Sequence, residues 1–192
     1  MITNLARGVQ AFTANAFLVT GETTALVDAG ANFDVVAAVE DRVDALDRVY
    51  LTHTHPDHVD NVPAVRAAFD VETWGYDADA DHVDTAVADG ETVRIGDHDY
   101  EALHTPGHEP DHLCFLSAAA GVCFAGDLVF ANGGVGRTDL PGGDFDALVA
   151  SVDRLRAAVG DDLAALHVGH GPSVTDRPVD DVELAARAVH SR

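Results

Sequence analysis

The sequence predicts an α/β protein built as a layered sandwich, with two β-sheets packed face to face and helices outside them. Three observations lead there. The chain has 192 residues, of which 47% are hydrophobic, enough for one domain with a sizeable core. Short runs rich in β-branched and aromatic residues dominate its first two thirds. Between these runs, and again towards the end, apolar residues recur at helical spacing. The expectation is a single domain over residues 1–192, with no linker, repeat or low-complexity segment.

Taken in order, residues 9–19 and 24–28 read as strands joined by a turn at Gly21-Glu22, and Gly30 suits a tight turn after the second. Residues 32–45 carry Val35, Val36, Val39 and Val43 at helical spacing. A short strand follows at 48–52, then a helix at 63–69 with Pro63 in its first turn. Residues 71–74 resemble a strand, whereas 77–89 are acidic and irregular, the best candidate for a mobile surface insertion. Residues 91–95 and 100–104 pair across Gly96-Asp97, and 113–116 and 122–125 pair across 119–121. After a glycine-rich loop, 145–159 form the clearest amphipathic helix, with Asp144 as N-cap. A strand at 163–168 and a helix at 179–189 complete the pattern.

The charge is unusual. The 11 basic residues are all arginine, against 33 acids, for a net charge of −22. Such a surface repels itself in dilute buffer and needs screening by salt. The expectation is a protein that works at high internal salt, as in a haloarchaeon. The same charge argues against a nucleic-acid partner, because phosphate binding needs basic patches. The start of the chain lacks a basic region followed by an apolar run, and no apolar stretch reaches membrane-spanning length. The expectation is a cytoplasmic protein with a small-molecule substrate and no membrane partner; a homo-oligomer stays open. Cys114 and Cys123 lie in apolar strand-like runs without metal or redox spacing, so reduced, buried thiols are expected.

The chemistry concentrates in His53-Thr54-His55-Pro56-Asp57-His58. His53 and His55, two apart in an extended segment, point to the same side. Pro56 keeps His55 extended. Asp57 and His58 begin a turn or helix and face a second point in space. Two adjacent metals served by one motif is the natural geometric reading. Three later segments each bring a metal-binding side chain where a strand ends: His108 in Thr105-Pro106-Gly107-His108, Asp127 after Ala125-Gly126, and His170 between Gly169 and Gly171. Two divalent cations about 3.5–4 Å apart can share a water and bring its pKa towards ~7, giving a hydroxide able to attack a carbonyl. No Gly-x-Ser-x-Gly elbow or placed cysteine offers a rival nucleophile. His112 reads as a supporting residue beside the site, His104 and His167 as core histidines, and His82, His98 and His190 as surface residues.

These residues together resemble the metallo-β-lactamase-fold hydrolases along nearly the whole chain. That resemblance implies a four-layer αββα sandwich with two divalent metal ions, usually zinc, with iron or manganese as alternatives. It implies that His53, His55 and His108 hold the first metal, that Asp57, His58 and His170 hold the second, and that Asp127 bridges both. Asp57 would also orient the hydroxide. The segments Gly126-Asp127-Leu128-Val129-Phe130 and 136–144 look like the short bacterial and archaeal glyoxalase II-like thioesterases. They imply hydrolysis of a hydroxyacyl thioester of a low-molecular-weight thiol, with Arg137 receiving the substrate's carboxylate or else pairing with Asp139. About 20 residues follow His170, so the C-terminal helical domain of full-length glyoxalase II has no counterpart here. Glu109-Pro110-Asp111-His112 also departs from the common pattern, which has Gly before the second histidine. The alternatives on the same fold are a mononuclear iron persulfide dioxygenase using His53, His108 and Asp127, and a lactonase or β-lactamase-like hydrolase. A non-enzymatic metal-binding module is the remaining class.

Overall fold

The computed structural model of the protein describes residues 1–191. It contains two mixed sheets. The first runs β1 (Ile2–Asn4), β2 (Phe17–Val19), β3 (Ala25–Val27), β4 (Arg48–Tyr50), β5 (Thr73–Gly75) and β6 (Thr85–Ala86), side by side in chain order. The second is ordered β11 (Ala165–Val168), β10 (Val122–Gly126), β9 (Leu113–Ser117), β8 (His98–His104) and β7 (Thr92–Ile95). Helices α1 (Val35–Glu40), α2 (Pro56–Val59) and α3 (Val62–Phe69) follow strands of the first sheet, and α4 (Phe145–Ala158) and α5 (Pro178–Val189) flank the second.

The period-two alternation of side chains divides each strand between two cores. From β2, Phe17 and Val19 point between the sheets, where they join Val27, Tyr50, Tyr100, Phe115 and Phe124. Leu18, on the opposite face, packs under α1 and α3 with Leu26, Val35, Val39, Val62 and Val65. In the second sheet Cys114, Leu116, Cys123 and Ala125 turn outward onto Leu148, Val152, Leu155, Val182 and Ala186 of α4 and α5. Three apolar seams between four layers make the αββα sandwich. Both cysteines are buried and free. Among the described residues no helix is long and apolar enough to cross a membrane.

Several expected elements are shorter or differently bonded. Residues 9–16 are not strand: Ala14 N–H donates to Asp57 O at 3.1 Å and Asn15 N–H to Gly169 O at 2.7 Å, so this backbone bonds to site loops instead of a sheet neighbour. The helix expected at 32–45 is confined to α1, because Asn32 is left-handed and Asp34 caps the start through Ala37 N–H. The acidic stretch 77–89 is largely irregular but contains the edge strand β6. Asp84 anchors it, accepting from Thr73 N–H at 2.9 Å and pairing with Arg66. The Asp144 cap is as expected, accepting from Ala147 N–H at 3.0 Å.

Candidate metal centre

Four chain segments bring the seven expected side chains to one edge of the sandwich. His53, His55, Asp57 and His58 follow β4, with Pro56 opening α2. His108 lies in the β8–β9 loop, Asp127 ends β10 and His170 ends β11. One ligand atom each from His53, His55 and His108 lies within 4.8 Å of the others; so do those of Asp57, His58 and His170, and those of His53, His58 and Asp127. Asp127 stands between the groups: Oδ2 is 3.4 Å from His108 Nε2 and 3.5 Å from His170 Nε2, while Oδ1 is 3.5 Å from His58 Nε2. All seven side chains are brought together in one cluster.

The hydrogen bonds around the cluster fix which nitrogen of each ring faces inward. His58 Nδ1 donates to Asp28 Oδ2 at 2.9 Å. His53 Nδ1 lies 3.1 Å from Thr52 Oγ1, which donates to the same Asp28 oxygen at 2.8 Å. His108 Nδ1 donates to Arg137 O at 2.8 Å, and His55 Nε2 lies 2.5 Å from Glu109 Oε1. With these protons committed outward, His53 Nε2, His55 Nδ1, His58 Nε2 and His108 Nε2 are left as inward acceptors.

That arrangement tests whether the residues suit a metal. Among the described residues, His58 Nε2, His108 Nε2 and Asp127 Oδ1 are buried without a hydrogen-bond partner. Each such atom costs about 1–3 kcal/mol when left unmet. His108 Nε2 falls in the first ligand set and His58 Nε2 in the second, with Asp127 Oδ1 beside His58; unmet lone-pair donors placed in this way suit bound cations. The electrostatics agree. Burial alone would lower His58, but Asp28 and Asp127 beside it reverse this and raise its pKa to about 10. Burial would raise Asp127, but His58, His170 and His108 hold it down at about 2. The carboxylates thus demand positive charge at this point, and divalent cations meet that demand while leaving the imidazoles neutral. His53 and His108 are pushed below the usual histidine range, chiefly by burial.

His112 is not aimed at the cluster. Its Nδ1 bonds Thr105 Oγ1 at 2.9 Å, and its Nε2 accepts from Asp127 N–H at 3.0 Å, which holds the central carboxylate's backbone in place. Burial lowers its pKa to about 3, so it stays a neutral acceptor. His167 sits between Phe17 and Phe124, and His104 stacks on Tyr76. In front of the cluster opens a cleft of about 560 Å³, lined in part by Phe12, Asp57, Phe130, Arg137 and Leu140. Arg137 is at its rim and is gripped by Asp139.

The family description "Metallo-beta-lactamase superfamily" matches residues 9–170. The chain belongs to that superfamily. Hydroxyacylglutathione hydrolase GloC of Haemophilus influenzae is 30% identical to it, with 87% of this chain and 90% of that protein aligned. A hydroxyacylglutathione hydrolase of Cereibacter sphaeroides is 42% identical over 113 residues, 57% of this chain and 44% of that protein. Among solved structures, TTHA1623 in a di-iron-bound form superposes with a TM-score of 0.77 at 29% identity, covering 97% of each chain. The superfamily fold, these relatives and the histidine–aspartate cluster support a metal-dependent hydrolase suited to two metal ions.

Sequence reasoning missed several supporting residues of this metallo-β-lactamase-fold site. Asp28 carries the same signature that singled out Asp127, a carboxylate at the end of a strand beside a small-residue turn. Glu109 and Thr52 had no such signal, because their role is to a neighbouring ring. Asn15, whose Nδ2 donates to Val168 O and Gly171 O at 2.7 and 2.9 Å, braces the His170 loop from 153 residues away in sequence.

Proposed function

We propose that this protein hydrolyses a thioester of a low-molecular-weight thiol, with His53, His55 and His108 holding one divalent cation, Asp57, His58 and His170 a second, and Asp127 shared between them. Zinc is the first candidate, and the di-iron form of TTHA1623 keeps iron in view, with manganese a further option. When bound there, such ions bring the pKa of a water towards ~7 and polarise a carbonyl oxygen. The observation that carries the reading is the position of Asp127 between two complete ligand sets, supported by the relatives named as hydroxyacylglutathione hydrolases.

The protein's own residues supply the rest. Asp57, 2.9 Å from His170 Nε2, is held below the usual carboxylate range despite burial, so it stays ionised and can accept a hydrogen bond from the attacking water. None of the described cleft-lining residues is Ser, Thr, Cys or Lys, so no hydroxyl, thiol or amine of the protein competes with water for the carbonyl carbon. A C–O bond forms, the C–S bond breaks, and the electron pair leaves on sulfur. Thiols titrate near ~8.5, so the departing thiolate needs no dedicated acid. Metal quantification with a panel of thioesters, lactones and persulfides in molar KCl tests the proposal. Two ions per chain with thiol release, both lost in Asp127→Ala, is the expected result. One iron per chain with oxygen uptake on a persulfide would overturn it.

A further inference from the structure

The cleft is chemically lopsided. Deep inside lie the histidines and carboxylates; outside, Phe12, Ala31, Phe130, Val135 and Leu140 form an apolar wall. Phe12 is 74% exposed, unusual for a large aromatic side chain, yet it is not loose. Its ring stacks on His170 with centroids 5.5 Å apart and planes 17° from parallel, and its carbonyl accepts from Asn32 Nδ2 at 2.8 Å. An exposed, oriented ring at the mouth of a cleft is a contact surface awaiting a ligand.

The charges of the outer cleft are Asp60 and Arg137. Arg137 is the one arginine or lysine among the described lining residues, and its fork is already filled: Nε donates to Asp139 Oδ1 at 2.9 Å and Nη2 to Oδ2 at 2.8 Å. A bidentate pair of this kind presents no net charge to a ligand. A substrate carboxylate would have to displace Asp139 or lie beside Asp60, on a protein of net charge −22.

We propose that Asp139 sets the substrate class of this cleft: by occupying Arg137 it leaves the outer slot apolar and uncharged, so the preferred thioesters carry an uncharged, apolar group there and no carboxylate. This rests on the thioesterase reading and refines its substrate. Against the Phe12 wall each added methylene should tighten binding about fourfold. Displacing an exposed ion pair costs a carboxylate ligand up to about fivefold.

The test uses two thioethers that cannot be hydrolysed. S-hexylglutathione carries two carboxylates, and S-hexyl-N-acetylcysteamine is uncharged. Both are titrated calorimetrically into the metal-loaded protein at one fixed KCl concentration. The uncharged ligand should bind wild type at least as tightly as the glutathione derivative. Asp139→Asn should tighten the glutathione derivative about fivefold and move the uncharged one by less than twofold, whereas Phe12→Ala should weaken both several-fold. Binding of S-hexylglutathione tenfold tighter than its uncharged counterpart, no selective effect of Asp139→Asn, or no binding of either ligand would each overturn the proposal. Turnover of the two hexanoyl thioesters separates the layers. If the thioethers bind as expected but neither thioester is cleaved by protein carrying two ions, the thioesterase reading fails and the slot assignment stands.

Discussion

Gly169→Ala should dismantle the metal centre while sparing the sandwich. A Cβ at this position would press against Asp127 Oδ1, far inside van der Waals contact, and stand 2.9 Å from His58 Cε1. The backbone cannot yield easily, because Gly169 N–H donates to Gly126 O and Gly169 O accepts from Asn15 N–H, both at 2.7 Å. The carboxylate must therefore retreat by more than 1 Å, roughly 1.4 Å or more, to reach ordinary contact. Metal–ligand distances tolerate only about ±0.2 Å, and a 1 Å misplacement at a reacting centre costs ~100-fold in rate. We expect kcat/KM for the substrate thioester to fall about 100-fold, with loss of at least one ion per chain. The far-ultraviolet circular dichroism should match wild type. Gly160→Ala is the control, since nothing lies within 4 Å of a Cβ there. Metal content by plasma emission spectrometry and initial rates on one preparation provide the assay. If Gly169→Ala kept two ions at wild-type affinity and worked within threefold of the wild-type rate, the placement of Asp127 between the two sets would be refuted.

Glu109→Ala removes the carboxylate that takes the outward proton of His55; metal affinity at the first set should weaken about 10- to 100-fold in chelator competition, and unchanged affinity would deny Glu109 that role. Asp28→Asn should act on both sets at once, because one carboxylate meets His58 directly and His53 through Thr52. Two ions bound as tightly as in wild type would contradict this. His167 supplies a pH dependence apart from the metals. Burial lowers its pKa from 6.5 to about 4, so the unfolded chain takes up a proton before the folded one does, and stability is intact above pH 6.5 and lost as the pH falls towards 4. Between pH 7.5 and 5 this is worth up to about 2 kcal/mol. His167→Gln should shrink the corresponding drop in urea midpoint, and an identical pH dependence in the variant would rule it out. Finally, the net charge of −22 should make the melting temperature rise between 0.1 and 2 M KCl, as the screening length falls from ~10 Å to below ~3 Å. A flat response would show that self-repulsion does not limit this fold.

The candidate ligand residues were legible in the sequence because each sits where a strand stops and a small or constrained residue follows or precedes it. A side chain at a strand end is fixed in direction by the pleat, so identity and position together carry the information. The layered fold was legible for the same reason: Phe17, Leu18 and Val19 are all apolar, which is how a strand reads when both its faces are covered. The segment before them was misread because Val9, Ala11, Ala14 and Ala16 look strand-like. What decides its conformation is that its hydrogen-bond partners are the loops after β4 and β11, and pairing over 40 to 150 residues leaves no local pattern. The support residues were hidden likewise. Glu109 reads as one more acid in an acidic chain until His55 is placed beside it, whereas the pairing of Arg137 with Asp139, two residues on, was one of the two readings the sequence offered.

The brace by Asn15 gives the protein an order of assembly. A nascent chain that has emerged as far as Asp127 already contains six of the seven cluster side chains, yet the carbonyls that Asn15 grips belong to Val168 and Gly171. Until β11 docks beside β10, the segment carrying Phe12 is tied to Asn32 and Asp57 but lacks its anchors at Val168, Gly169 and Gly171, and the second ligand set lacks His170. The last strand to be synthesised therefore completes the candidate site and the bracing of its entrance in one event, so that full metal occupancy would record that the whole sandwich has closed.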